Sequence, residues 1–112
     1  MTDIQRARIY TVLRKIGVQA GDSANIVIEA LVDAVMENPG AVYGQFFTEI
    51  MPVAAAQAKR STSSVSANMT RAIKHCWETR RQEMYDLFDF RDGDKRPTPK
   101  QFISRLVEML QQ

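Results

Sequence analysis

An amphipathic stretch at residues 65–77 constrains the fold of this chain more than any other feature. Its apolar residues recur at steps of three and four, which is the spacing of one buried stripe on an α-helix. They are Val65, Met69, Ala72, Ile73, Cys76 and Trp77. At about 100° per residue, the opposite side of this helix carries Arg71, Lys74 and Glu78. The pattern predicts a helix that packs one face against other elements and exposes a basic face.

Helical spacing and capping residues predict an all-α fold for the rest of the chain, with short connections and no convincing strand. The predicted helices cover residues 4–16, a second segment capped by Asp22 or Ser23, a third segment from about residue 42, residues 53–59 after Pro52, residues 84–88, and a last helix capped by Thr98. Residues 61–64 are predicted to be a turn that ends in the N-cap of the basic helix. Residues 89–96 are predicted to be a polar loop.

Length and composition indicate one soluble domain over residues 1–112, a compact bundle of about five to six helices. The chain has 112 residues, of which 45% are hydrophobic and 25% charged. No apolar run approaches the roughly 20 residues that span a bilayer, and the first residues do not resemble a secretion signal. We therefore expect a cytoplasmic protein with no membrane partner.

Charged residues are segregated along the chain. From Ile16 to Ala58 there is no Lys or Arg. Between Gln57 and Arg81 there is a single acid, Glu78, and six basic residues: Lys59, Arg60, Arg71, Lys74, Arg80 and Arg81. A basic patch confined to one helix and its approach is typical of a nucleic-acid-binding protein. It is also compatible with docking onto an acidic protein.

The residues that enzymes and metal sites require are scarce. His75 and Cys76 are the only histidine and cysteine, and adjacent helical residues do not face each other, so they form no catalytic pair. Residues 89–94 resemble a calcium loop superficially, but Pro99 stands where the loop needs an acid. We expect no catalytic residue, metal, cofactor or small-molecule substrate. Cys76 is expected to be a buried structural thiol.

Residues 53–81 form a predicted helix-turn-helix, with a recognition helix at about 64–81 that lies in the major groove of double-stranded DNA. Arg71 and Lys74 would contact phosphates or guanines, and Asn68 and His75 would lie near base edges. The remaining contacts would hold the DNA backbone, from Ser63 and Ser64 at the helix N-terminus and from Lys59 and Arg60 in the turn. The pattern leaves open whether the protein binds DNA as a homodimer.

Three stretches resemble the C-terminal effector domain of the stage-zero sporulation protein A family of response regulators. Residues 13–20, with the sequence LRKIGVQA, are similar to that family's "IGV-x-A" opening. Residues 71–75, RAIKH, resemble its "RAIRH" recognition-helix core. Leu87-Phe88, followed by residues 96–103, RPTPKQFI, is similar to its "LF … KPT-x-x-EFI" tail. The three stretches follow the family's order across nearly the whole chain.

This resemblance implies a DNA-reading helical bundle in which Arg71, Lys74 and His75 take the roles of the family's recognition residues. Asn68 and Thr70 depart from it, because the family commonly has Arg and Glu there. Both are still expected to contact DNA, with Asn68 favouring adenine and Thr70 touching a thymine methyl. The chain is also about four residues longer between Pro52 and Arg71, and it is expected to lack the family's receiver domain. The alternative hypothesis is a protein-interaction module that binds a protein partner through the basic face or the Phe46/Phe47 region.

Overall fold

The computed structural model describes residues 1–19, 21–88 and 95–111, and only the backbone at residues 42 and 43. The predicted all-α fold is confirmed. The described residues form six α-helices and no strand: α1 (Asp3–Lys15), α2 (Ser23–Glu37), α3 (Met51–Ala58), α4 (Thr62–Thr79), α5 (Arg81–Phe88) and α6 (Pro99–Leu110). None of these helices is both long enough and apolar enough to cross a membrane.

Helix α1 ends where the sequence predicts, at Gly17, which adopts a positive φ of 96°. The Gly17 N–H donates to the Arg14 carbonyl and the Val18 N–H donates to the Leu13 carbonyl. This pair of bonds is a Schellman motif, in which a left-handed residue turns the chain out of the helix. Leu13 and Val18 are both buried, so the apolar contact that usually accompanies the motif is available.

Helix α2 is the centre of the bundle because most of its circumference is apolar. It packs against α1, α3, α4 and α6. Only a narrow strip that includes Glu29 and Asp33 reaches the surface, and both acids have partners. Glu29 is paired with Arg6 and accepts a hydrogen bond from the Tyr10 hydroxyl, while Asp33 accepts one from Gln57 of α3 at 3.1 Å.

The segment before α3 differs from the predicted third helix. A 3-10 helix covers Pro39–Tyr43 and a π-helical turn covers Phe46–Ile50, which leads directly into α3 at Met51. Pro52 lies in the first turn of α3, as predicted, because its missing N–H is not needed there. The wider π-turn buries Phe46 and Ile50 but leaves Phe47 outside the core.

The turn between α3 and α4 is three residues long and begins with a left-handed residue. Lys59 has φ 57° and ψ 46°. Its N–H donates to the Ala56 carbonyl, and the Arg60 N–H donates to the Ala55 carbonyl, which gives a second Schellman motif. The predicted turn at residues 61–64 is wrong: Ser61 is the N-cap and accepts the Ser64 N–H at 3.1 Å, so α4 begins at Thr62.

The C-terminal part matches the predicted capping of the last helix. Thr98 and Gln101 form a reciprocal capping box at the start of α6, with Pro99 in the first turn. Helix α5 begins at Arg81, so the predicted recognition helix at 64–81 runs two residues too far at its C-terminal end. Most of the predicted polar loop, residues 89–94, lies outside the described residues.

Candidate nucleic-acid interface

The basic helix α4 is held by a continuous apolar stripe. Val65, Met69, Ile73 and Cys76 are fully buried or nearly so, and the Trp77 side chain is 8% exposed. Helix α4 packs against α2, α3, α5 and α6 through this side. The orientation predicted from the sequence is therefore the orientation in the structure, and the opposite side of α4 is turned outward.

The outward face of α4 combines small residues near its N-terminus with basic residues further along. Ser63, Thr70, Arg71, Lys74 and His75 are all exposed. Two of the hydroxyls already have partners in the helix: Thr70 donates to the Ser66 carbonyl at 3.0 Å, and Ser63 Oγ lies 3.2 Å from Ser61 Oγ. Arg71 and Lys74 are thus the side chains on this face best placed to contact a polyanion.

Basic residues of the turn extend this surface beyond the N-terminus of α4. Lys59 is exposed and Arg60 is half-buried. In the part of the chain that the structure describes, no carboxylate lies within ion-pair distance of these two residues, Arg71 or Lys74. We call the four residues Lys59, Arg60, Arg71 and Lys74 the α4 basic surface. Because none of them is neutralised by an acid there, their charge is available to an external partner.

Arg81, which the sequence groups with the basic helix, has a structural role instead. Its guanidinium carbon lies 4.2 Å from the centroid of the Trp77 ring, and its Nε donates to the Trp77 carbonyl at 2.7 Å. The Trp77 ring also makes an edge-to-face contact with the ring of Tyr85 in α5. Arg81 therefore joins α5 to the end of α4.

Asn68 does not lie where the sequence analysis placed it. It is 9% exposed, and its Nδ2 donates to Ser23 Oγ of α2 at 3.3 Å. The predicted contact of Asn68 with base edges conflicts with this position, because the side chain turns towards the start of α2. Asn68 lies on the flank of the helical wheel, where burial depends on which neighbour packs beside it.

A shallow groove runs between the flank of α4 and the start of α2. Its α4 side is formed by Arg60, Ser64, Asn68, Arg71 and His75. Its other side is formed by the end of the α1–α2 connection, including Asp22 and Ser23. We call it the α2–α4 groove. Lys74 and Thr70 lie on the opposite flank of α4 and take no part in it. Asp22 and Ser23 were predicted only as helix caps, since nothing in the local sequence shows that they meet α4.

Cys76 is buried in the apolar stripe, as predicted for a structural thiol. Burial raises the pKa of the Cys76 thiol from 9.0 to about 11, because the thiolate is poorly solvated there. The thiol is therefore neutral at ordinary pH and does not contribute to the charge of α4.

The large exposed apolar side chains of the described residues belong to elements other than α4. Phe47 is 60% exposed and stands edge-to-face against the buried Phe46, with ring centroids 5.5 Å apart. Val53 on α3 and Ile26 on α2 are also about half exposed or more. Of the two aromatic residues that the alternative hypothesis names, only Phe47 is therefore accessible to a protein partner.

Comparison with models of protein families, with curated proteins and with solved structures finds no match for this chain.

Proposed function

We propose that this chain is a cytoplasmic DNA-binding regulator of transcription, without catalytic activity of its own, that inserts α4 into the major groove of double-stranded DNA. The observation that carries the proposal is the α4 basic surface. Its four cations lie in the turn before α4 and on the outward face of that helix, whose opposite side is buried in the core. No acid in the described residues lies within ion-pair distance of them. A rigid helix that exposes unpaired cations on one face is suited to a polyanion.

The geometry of α3 and α4 supports the same proposal. A three-residue turn joins them, and the small side chains Ala54 and Ala55 are buried on the inner side of α3. This allows α3 to lie close to the rest of the bundle while the N-terminus of α4 stays open to solvent. Ser63, Ala67 and Thr70 are small, so the backbone of α4 can approach base edges closely. The resemblance of residues 71–75 to the sporulation regulators is a further reason for assigning this role to α4.

Salt dependence of binding to random-sequence duplex tests the proposal. If the four residues of the α4 basic surface each neutralise one phosphate, log affinity should fall with log salt at a slope of about −3.6. Fluorescence anisotropy of a labelled duplex over a salt series measures this slope. Arg71→Ala and Lys74→Ala should each lower affinity and reduce the slope by about 1.

Arg8→Ala is the matched control, because Arg8 is an exposed arginine of α1 that lies beside α6. It removes the same charge from the molecule and should leave the slope unchanged. An equal loss of affinity in all three variants would show that only net charge matters. A slope near zero for the unmodified protein would refute DNA binding through this surface.

The exposed Phe47 supports a second candidate function, in which the chain binds a protein partner. That interaction would depend mainly on apolar contact and so would respond weakly to salt. Absence of duplex binding at low salt, together with partner binding that Phe47→Ser abolishes and Arg71→Ala does not, would favour this function over the first.

A further inference from the structure

We infer that the α2–α4 groove is a phosphate-binding site. It is lined by two arginines, Arg60 and Arg71, and by His75. These side chains come from the turn and from two successive turns of α4, so they converge on one flank of the helix. Convergent cations around a concave surface are a recurrent means of binding phosphate, and arginine forms paired hydrogen bonds to its oxygens.

The opposite wall of the groove supplies hydrogen-bond donors. Asp22 is the N-cap of α2, but its side chain does not cap the helix; it accepts the Gln19 N–H at 2.9 Å instead. The start of α2, at Ser23 and Ala24, therefore has no side-chain cap. Both residues line the groove. A helix N-terminus without a side-chain cap favours an anion.

The contact between Asn68 and Ser23 leaves a further donor. Because the Ser23 hydroxyl oxygen accepts from Asn68 Nδ2, its own proton is free to be donated to a ligand in the groove. Asn68, nine-tenths buried, holds the two walls together without adding charge. The site thus combines the arginines of the turn and of α4 with neutral donors on α2. The single acid in it, Asp22, is outnumbered by the two arginines.

The phosphate has two sources with the same chemistry: the backbone of bound DNA, or a free phosphorylated small molecule that acts as an effector. The first source rests on the proposed function, whereas the second does not. In either case Arg71 is shared between the groove and the outward face of α4. A free effector in the groove would therefore compete with DNA.

Titration with inorganic phosphate, followed by backbone amide NMR shifts at constant ionic strength, tests the site. Saturable shifts are expected at Ser23, Ala24 and Arg60. Arg60→Gln should weaken phosphate binding by about tenfold, which is the loss expected for one charge-assisted hydrogen bond. Asp22→Asn should strengthen binding, because it removes the acid but keeps an acceptor for the Gln19 N–H. Arg8→Gln, on α1 beside α6, is the control and should leave phosphate binding unchanged.

Non-saturating shifts, or equal weakening by Arg60→Gln and Arg8→Gln, would overturn the site even if duplex still binds. Saturable phosphate binding without any duplex binding would support the site and refute DNA binding instead. A nucleoside monophosphate separates the two sources. If it binds more tightly than inorganic phosphate and displaces duplex, the groove takes a free effector. If it binds no better and duplex displaces phosphate, the groove takes the DNA backbone.

Discussion

Lys59 offers a direct test of the turn that presents α4, because it is the one non-glycine residue with positive φ among those described. Left-handed backbone costs a residue with a side chain about 1–2 kcal/mol. Glycine escapes this cost, but its greater freedom in the unfolded chain costs about 0.5–1 kcal/mol. We therefore expect Lys59→Gly to raise the free energy of unfolding by about 0.5–1 kcal/mol.

Thermal unfolding followed by circular dichroism measures the effect, which corresponds to a rise in Tm of about 2–5 °C. Lys59→Ala is the matched variant: it loses the same charge but keeps the strain, so it should not gain stability. Ala56→Gly, at an exposed helical position of α3, should instead cost about 1 kcal/mol. Both Lys59 variants should reduce the salt slope of duplex binding by about 0.9. If Lys59→Gly is no more stable than Lys59→Ala, the turn does not have the conformation described.

Two further predictions concern the buried side of α4. Trp77→Ala should lower the free energy of unfolding, measured by urea titration, by about 3–5 kcal/mol. Arg71→Ala should change it by less than about 0.5 kcal/mol. If Arg71→Ala instead unfolds the protein, α4 is packed the other way round. The pKa of the Cys76 thiol is raised in the folded protein, so the free energy of unfolding should not vary with pH through this thiol below pH 9.0. It should fall as pH rises from 9.0 towards about 11. Cys76→Ala, measured over the same pH range, should lack this fall.

The outward face of α4 could be predicted from the sequence because helical geometry alone decides it. Once Met69, Ile73 and Trp77 are placed inward, Arg71 and Lys74 must point outward, whatever the rest of the fold. Asn68 shows the limit of this reasoning. It lies at the edge of the apolar stripe, where its burial depends on the packing of α2. Its hydrogen-bond partner on α2, Ser23, is 45 residues away in the sequence.

Backbone conformation at the element boundaries was the least predictable part. Gly17 predicts a left-handed turn because glycine readily adopts positive φ. Lys59 also adopts positive φ, but lysine has no preference for that conformation from which the turn could be predicted. Ser61 became the N-cap because the Schellman turn before it ends at Arg60. Any of the four hydroxyl residues at 61–64 could have taken that role on composition alone. The π-turn before α3 depends on how Phe46 fits the core.

The pairing of acids on α2 has a consequence for how the molecule moves in solution. Glu29 is paired with Arg6, and Asp33 accepts a hydrogen bond from Gln57. Lys59, Arg71 and Lys74 are exposed, and no acid of the described residues lies within ion-pair distance of them. These three cations thus belong to one surface of a molecule whose net charge is only +2. The field of a polyanion acts on such a surface before contact, and added salt should slow association through it because salt shortens the range of that field.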